Sequence, residues 1–208
     1  MRGVYKPGER IREQEVADRL TVSRGPVREA LQIVQQEGLI EIAPWKGARV
    51  VLLTLNEIED LFLITAALMA VVARLATQRA TDAELAEFQA RVEAHMVTAD
   101  PPHTTQEQLN AAFSCGSYLF EIARSPNVTQ TLGRVVRLVY WQHRVLNSAD
   151  LAWRKRATQT WLDLAVTLKT RNAEKAERAI NMVDRHARDQ VLKIHRQLGP
   201  AVYRLFQP

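Results

Sequence analysis

The sequence predicts a mainly α protein: an N-terminal winged helix-turn-helix followed by an all-α antiparallel helical bundle. Three observations predict it. The first fifty residues form short elements punctuated by Pro7-Gly8, Gly25-Pro26, Gly38 and Pro44-Trp45-Lys46-Gly47. Near residues 52–56 the pattern changes once, and apolar residues then recur at helical spacing over long stretches. Nothing in the second part reads as a strand. The expected domains are therefore residues 1–53 and 54–208.

A chain of 208 residues that is 47% hydrophobic can bury a core in each of two domains. No apolar run approaches the ~18–20 residues of a membrane span, and no charged segment leads into an apolar one at the start. A soluble cytoplasmic protein without a membrane partner is expected. The single Cys115 cannot form an internal disulfide and fits a reducing compartment, as a small buried apolar residue. A net charge of +5 is compatible with a polyanion but does not identify one, since residues 1–50 hold nine Lys/Arg against seven Asp/Glu. Arrangement has to carry the reading.

From Glu13 to Leu20 the spacing predicts a short amphipathic helix with Val16, Ala17 and Leu20 inward. After Thr21-Val22, Ser23 is placed to cap a second helix, with Pro26 tolerated in its first turn and Val27, Leu31 and Val34 as the stripe packed on the first. Arg24 and Arg28, four residues apart on one face near the N-terminus, are expected to be free for base edges and phosphates in a major groove, rather than Arg28 being held in a salt bridge to a neighbouring acid. Gly38 ends this helix. Leu39–Ala43 and Ala48–Leu52 then read as two strands around a Pro-Trp-Lys-Gly turn, a wing with Lys46 at its tip and Gly47 allowing close backbone approach.

Pro7-Gly8-Glu9-Arg10-Ile11, Glu13-Gln14-Glu15-Val16-Ala17, VSRGPVREAL at 22–31 and EGLI at 37–40 together resemble the GntR family. The resemblance implies a regulator that binds a near-palindromic double-stranded operator as a homodimer, with a bias to repression. It implies contacts from the residues matching Gln14, Arg24, Arg28 and Lys46-Gly47, with Ser23 and Pro26 in the same first turn among the DNA-binding residues. The family normally has a whole helix before the Pro-Gly motif, whereas six residues stand there, so the first helix is expected to be missing and the winged domain to lack part of its core.

In the second part, Thr54 with Glu57 and Thr81 with Glu84 match the capping box, Ser125-Pro126 is a cap before a first-turn proline, and Asn172 precedes Ala173-Glu174-Lys175-Ala176. Helices follow near 55–78, 82–98, 105–123, 127–147, 150–170 and 173–197, a bundle whose centre can hold a ligand. Asn56 to Leu61, Ala73-Arg74-Leu75-Ala76, Phe113 and Asn172 to Ala176 make this part similar to the FadR-like branch with an FCD domain. Many FCD proteins hold a divalent metal through an Asp and a His four residues apart and two later His. Aligned through Phe113, those positions are Asn110, Ser114, Gln159 or Trp161, and the neighbourhood of Val183, so no metal or other cofactor is expected.

His186 lacks a carboxylate partner that would make it a substitute ligand, and His95, His103, His143 and His195 are scattered, with surface or satisfied positions as their default. The branch's Arg-x-x-x-Glu pair is Thr65 and Met69 here, which favours a neutral, larger or more apolar effector. Candidate pocket residues are Asn110, Ser114, Arg137, Gln159 and Trp161, although Trp161 and Tyr140 fit core packing better. Alternatively the cavity is filled and the domain only dimerises. Trp153-Arg154-Lys155-Arg156 reads as a solvated face. No nucleophile–base set, phosphate loop or metal cluster suggests an enzyme. The reading is an effector-modulated DNA-binding regulator, with a sensor or scaffold dimer that no longer binds DNA as the alternative.

Overall fold

The computed structural model describes residues 5, 8–43, 47–146 and 150–204, of which 134, 141–146 and 198–204 by backbone only. The chain divides into two compact units, Met1–Leu55 with Leu198–Pro208, and Asn56–Gln197.

In the first unit, strand β1 (Arg10–Ile11) leads into helix α1 (Glu13–Leu20), and α2 (Arg24–Gln36) follows after a tight turn. That turn pivots on Thr21, whose backbone is left-handed at φ 57°, a conformation that crowds a β-branched side chain. Ala17 from α1 and Val27 and Leu31 from α2 form the buried seam. Helix α2 stops where expected. Gly38 takes φ 76°, and its N–H and that of Leu39 bond back to Gln35 O (2.8 Å) and Val34 O (3.3 Å). Strands β2 (Ile40–Ala43) and β3 (Gly47–Val50) pair antiparallel, Ala43 facing Gly47.

Two expectations are corrected in this unit. The sheet has three strands in the order β1-β3-β2, Arg10 facing Arg49; two residues are too few for an alternation to show in sequence. Leu20 does not point inward: it is 60% exposed, since the chain turns away at Thr21 before Leu20 can reach the seam that Ala17 fills.

The second unit is a bundle of α3 (Leu55–Arg79), α4 (Asp82–Val97), α5 (Thr105–Ala123), α6 (Pro126–Leu146), α7 (Leu151–Lys169) and α8 (Ala173–Arg204). Helix α4 packs most extensively, on α7 and α5, and Phe88, Leu119, Ile122, Leu132, Leu164 and Ile180 are fully buried in the bundle core. The starts are fixed by side chains. Thr81 and Glu84 form the expected capping box, Thr104 and Glu107 form another, Asp150 accepts from the N–H groups of Ala152 and Trp153, and Asn172 Oδ1 accepts from Lys175 N at 2.9 Å. Cys115 is buried, and burial pushes its thiol up to about 12, so it behaves as an apolar core residue.

Two further readings are corrected here. By length and composition α3 is apolar enough to cross a membrane, contrary to the expectation that no segment is. Its Met69, Val72, Ala73 and Ala76 sit in the bundle core, while Leu63, Ile64 and Val71 stand exposed. Nor are residues 153–156 a solvated face throughout: Lys155 and Arg156 are exposed as expected, but Trp153 and Arg154 are buried. The Arg154 guanidinium donates to Gln108 Oε1 (3.0 Å), His103 O (2.8 Å) and Thr98 O, and Gln108 Nε2 returns a bond to Arg154 O (2.9 Å). It thereby ties the α4–α5 connection to α7.

Removing a buried cation that satisfies loop carbonyls leaves them unpaired. Arg154→Met should therefore cost roughly 2–4 kcal/mol in urea unfolding. Thr21→Gly relieves the left-handed turn and should raise the stability of the first unit by about 1 kcal/mol, read as a higher melting temperature.

Candidate nucleic-acid interface and ligand cavity

The first turn of α2 is exposed from Ser23 to Pro26, and so is Arg28. Ser23 stands at the N-cap position with extended backbone, but its hydroxyl makes no capping bond, contrary to expectation. An N-cap side chain accepts from the second or third N–H of its helix, and the third position here is Pro26, which has none. The hydroxyl is thus left at the helix N-terminus, where anions bind.

Arg24 and Arg28 are not free in the way the sequence suggested. Both reach Glu13 at the start of α1, Arg24 at 3.3 Å and Arg28 at 3.0 and 3.2 Å. Their side chains nevertheless stay about three-fifths exposed, 59% and 61%, against 26% for Glu13. The Arg28 hydrogen bond, and then Arg24, hold the Glu13 carboxyl below the usual carboxylate range, and Glu13 in turn raises Arg28. One acid thus fixes two cations at one helix end. Glu13 was missed because its partners are 11 and 15 residues away. Gln14, also exposed, bonds Asp18 at 2.8 Å. Gly47 takes φ 78° opposite Ala43, with Arg10 beside it. Lys46 lies outside the described residues.

In the bundle, α3, α5, α6, α7 and α8 line a partly open cavity of about 140 Å³. Thr65 and Met69 line it, as do Phe113, Ser117, Phe120, Tyr140, Trp161 and Asp184. A smaller space of about 50 Å³, reached by His95, Gln108, Trp153 and His186, also abuts Trp161. Of the five candidate pocket residues, only Trp161 lines either space. Asn110, Ser114, Arg137 and Gln159 are exposed: Asn110 accepts from the Tyr140 hydroxyl (2.6 Å) and from Gln106 (2.9 Å), and Gln159 donates to Asp163 (2.9 Å). The reason lies in helical phase, because the inward face of α5 is carried by Leu109, Ala112 and Gly116, leaving 110 and 114 outside.

The family's metal positions do not fit a divalent ion. The amide and hydroxyl point out, Trp161 and Val183 offer no donor suited to one, and among the described residues no three His, Cys, Asp or Glu come together. His186 instead stacks on Trp153, at 5.3 Å, and its Nε2 bonds Trp153 O at 3.1 Å. His95 is buried rather than on the surface; Thr98 Oγ1 is 3.3 Å from its Nδ1, while Nε2 has no partner. Burial pushes its imidazole down to about 4, so it is neutral.

Asp184 is the charged cavity group that sequence reasoning overlooked, since a lone acid on a charged helix gives no signal. Its Oδ2 is sealed from solvent and has no hydrogen-bond partner. Burial pushes its carboxyl up to about 7 from an ordinary 3.8. A group whose folded value exceeds its unfolded one favours folding below the unfolded value and loses that contribution as pH rises through the folded one. Relative to Asp184→Asn, the wild type should thus lose stability between about pH 4 and pH 7. The asparagine variant should be more stable by roughly 2–4 kcal/mol at pH 8 and equal below pH 4, measured by denaturant unfolding across that range.

Comparison with known proteins agrees with this architecture. Residues 1–50 match the family described as bacterial regulatory proteins, gntR family, and residues 60–201 match the FCD domain. The Nta operon transcriptional regulator of Aminobacter aminovorans is 45% identical over 82 residues, 39% of this chain and 39% of that protein. The HTH-type transcriptional repressor RspR of Escherichia coli is 36% identical over 78 residues, 38% of this chain and 34% of that protein. These matches thus span well under half of each relative's length. The structure of E. coli McbR/YncC shares the fold, with a TM-score of 0.75 at 20% identity over 95% of this chain and 92% of that one. The relatives are named as regulators of transcription and not as enzymes. With both segments matched in order, the chain belongs to the GntR family of bacterial regulatory proteins, in the branch that carries an FCD domain.

Proposed function

We propose that the protein is a cytoplasmic transcriptional repressor that occupies a near-palindromic operator as a homodimer and responds, without a metal cofactor, to a small effector in the bundle cavity. The observation that carries this reading is the exposed first turn of α2. There two guanidinium groups, oriented by one carboxylate, flank a helix N-terminus whose serine hydroxyl is uncommitted. Arginine in that position can pair bidentately with guanine or bridge to phosphate, and the helix end adds backbone N–H groups for a further phosphate. Gly47, at the start of the second wing strand, would let backbone approach the adjacent groove. The repressor name of one relative supports the sign of control.

Pairing has its own support. Leu63, Ile64 and Val71 stand exposed on α3 at spacings that share a helical face, and a second copy is the occupant such a face suits in this family. A dimer would present two recognition helices to successive major-groove half-sites. The effector acts only through its different affinity for the DNA-competent and incompetent arrangements.

The cavity alters one sequence expectation. Its volume of about 140 Å³ favours a small effector over a larger one.

Binding to DNA from the protein's own upstream region tests the reading. Arg28→Ala should weaken specific binding by about 1–3 kcal/mol and flatten the preference for the operator, with the bundle unaffected. Glu13→Gln, which removes a carboxylate facing the phosphates, should instead raise non-specific affinity. Absence of binding by the folded protein would leave the sensor or scaffold dimer.

A further inference from the structure

The bundle cavity contains one unexplained charge. Its walls are apolar and aromatic, with Phe113, Phe120, Tyr140 and Trp161 contributing rings, and two of the hydroxyls among them have partners. Thr65 Oγ1 bonds Leu61 O at 2.8 Å, and the Tyr140 hydroxyl is committed to Asn110. Asp184 differs, having an oxygen that is sealed and unpaired.

Among the described residues, no cation neutralises it from the cavity side. Helix α3 presents Thr65 and Met69 there, α5 and α6 present the Ser117 and Tyr140 hydroxyls, and α7 presents Trp161. On α8, Arg185 and Arg188 line the neighbouring groove with Asp184. Arg188 is engaged by Asp189 at 2.8 Å, and burial, with no opposing charge, is what acts on Asp184. An unpaired carboxylate in apolar surroundings is costly unless a ligand supplies the partner.

We propose that this cavity takes a small organic cation, a protonated amine on a single ring or short chain. Its ammonium pairs with Asp184, and its apolar body lies among Phe113, Phe120, Tyr140 and Trp161. The rings favour the same class, because a cation near aromatic faces is attracted by their quadrupoles. A carboxylate ligand meets the opposite situation, a like charge and no metal ligands to offset it. Size sets the scale: about 140 Å³ is well under the ~300 Å³ at which pockets for drug-sized ligands begin. This inference rests on the reading of the cavity as the effector site, and it names the chemistry of that effector.

The test is calorimetric titration of the full chain at about pH 8 with benzylamine, cyclohexylamine, benzyl alcohol and benzoate. The two amines should bind at least tenfold more tightly than the alcohol and benzoate. Asp184→Asn should weaken amine binding at least tenfold while leaving the alcohol unchanged, its circular dichroism matching the wild type. Equal binding of alcohol or benzoate, full amine affinity in Asp184→Asn, or no binding by any of the four compounds overturns the proposal. Operator binding separates this from the regulatory reading. An amine that binds through Asp184 but leaves DNA affinity unchanged upholds the ligand class and removes the effector role. An amine that shifts DNA affinity in wild type but not in Asp184→Asn upholds both.

Discussion

The indole of Trp161 sets the dimensions of the bundle's interior. It is buried on α7, with Phe88 and His95 of α4 at ring distances of 6.5 and 6.4 Å. A side chain of this volume holds the helices apart where it stands, and both cavities form against it. Gly116 completes the arrangement from α5, since a Cβ there would already touch the indole at 3.8 Å and anything larger would enter the open space. The emptiness beside Trp161 is therefore a consequence of one large residue facing one very small one.

In the first unit the deciding interaction is ionic and nearly solvent-exposed. Ion pairs as open as Glu13 with Arg24 and Arg28 contribute little to folding, because water competes for both partners and long side chains lose freedom. Their value lies in orientation. Two guanidinium groups tethered to one carboxylate sample fewer directions than two free ones, so in the operator contact proposed above the arginine forks would lose less on meeting a base edge or phosphate. The missing capping bond at Ser23 belongs to the same economy, since Pro26 removes one of the two donors that could have engaged the hydroxyl.

The parts of the fold that were legible in the sequence are those with local causes. Thr81 with Glu84 and Asn172 mark helix starts because a cap and its donor lie within three residues, and Gly38 marks an end because a left-handed residue must follow the last turn. The hairpin around Gly47 was visible for the same reason. What was illegible depends on distant partners. Arg154 reads as a surface charge until its acceptors, 46 to 56 residues away, surround it. The pocket positions on α5 failed by helical phase: counting from Phe113 selects 110 and 114, while the packed face runs through 109, 112 and 116. Leu20 failed because an apolar residue at the right spacing was one turn too late to be covered.

Asp184 and His95 show what such a bundle centre does electrostatically. Burial alone moves both, the carboxyl up to about 7 and the imidazole down to about 4, so each resists its charged form. Their effects on folding run in opposite directions over the same interval. As pH falls from 7 toward 4, the carboxyl gains its proton in the folded protein before it would when unfolded, which stabilises. The imidazole is refused a proton that the unfolded chain would accept, which destabilises. The two offset, so the folded state tolerates the interval while the cavity changes from one negative charge to none. A fold optimised for stability would carry asparagine at 184. A carboxylate there costs stability that a partner of opposite charge would restore, which is the pattern expected where binding, rather than packing, has chosen the residue.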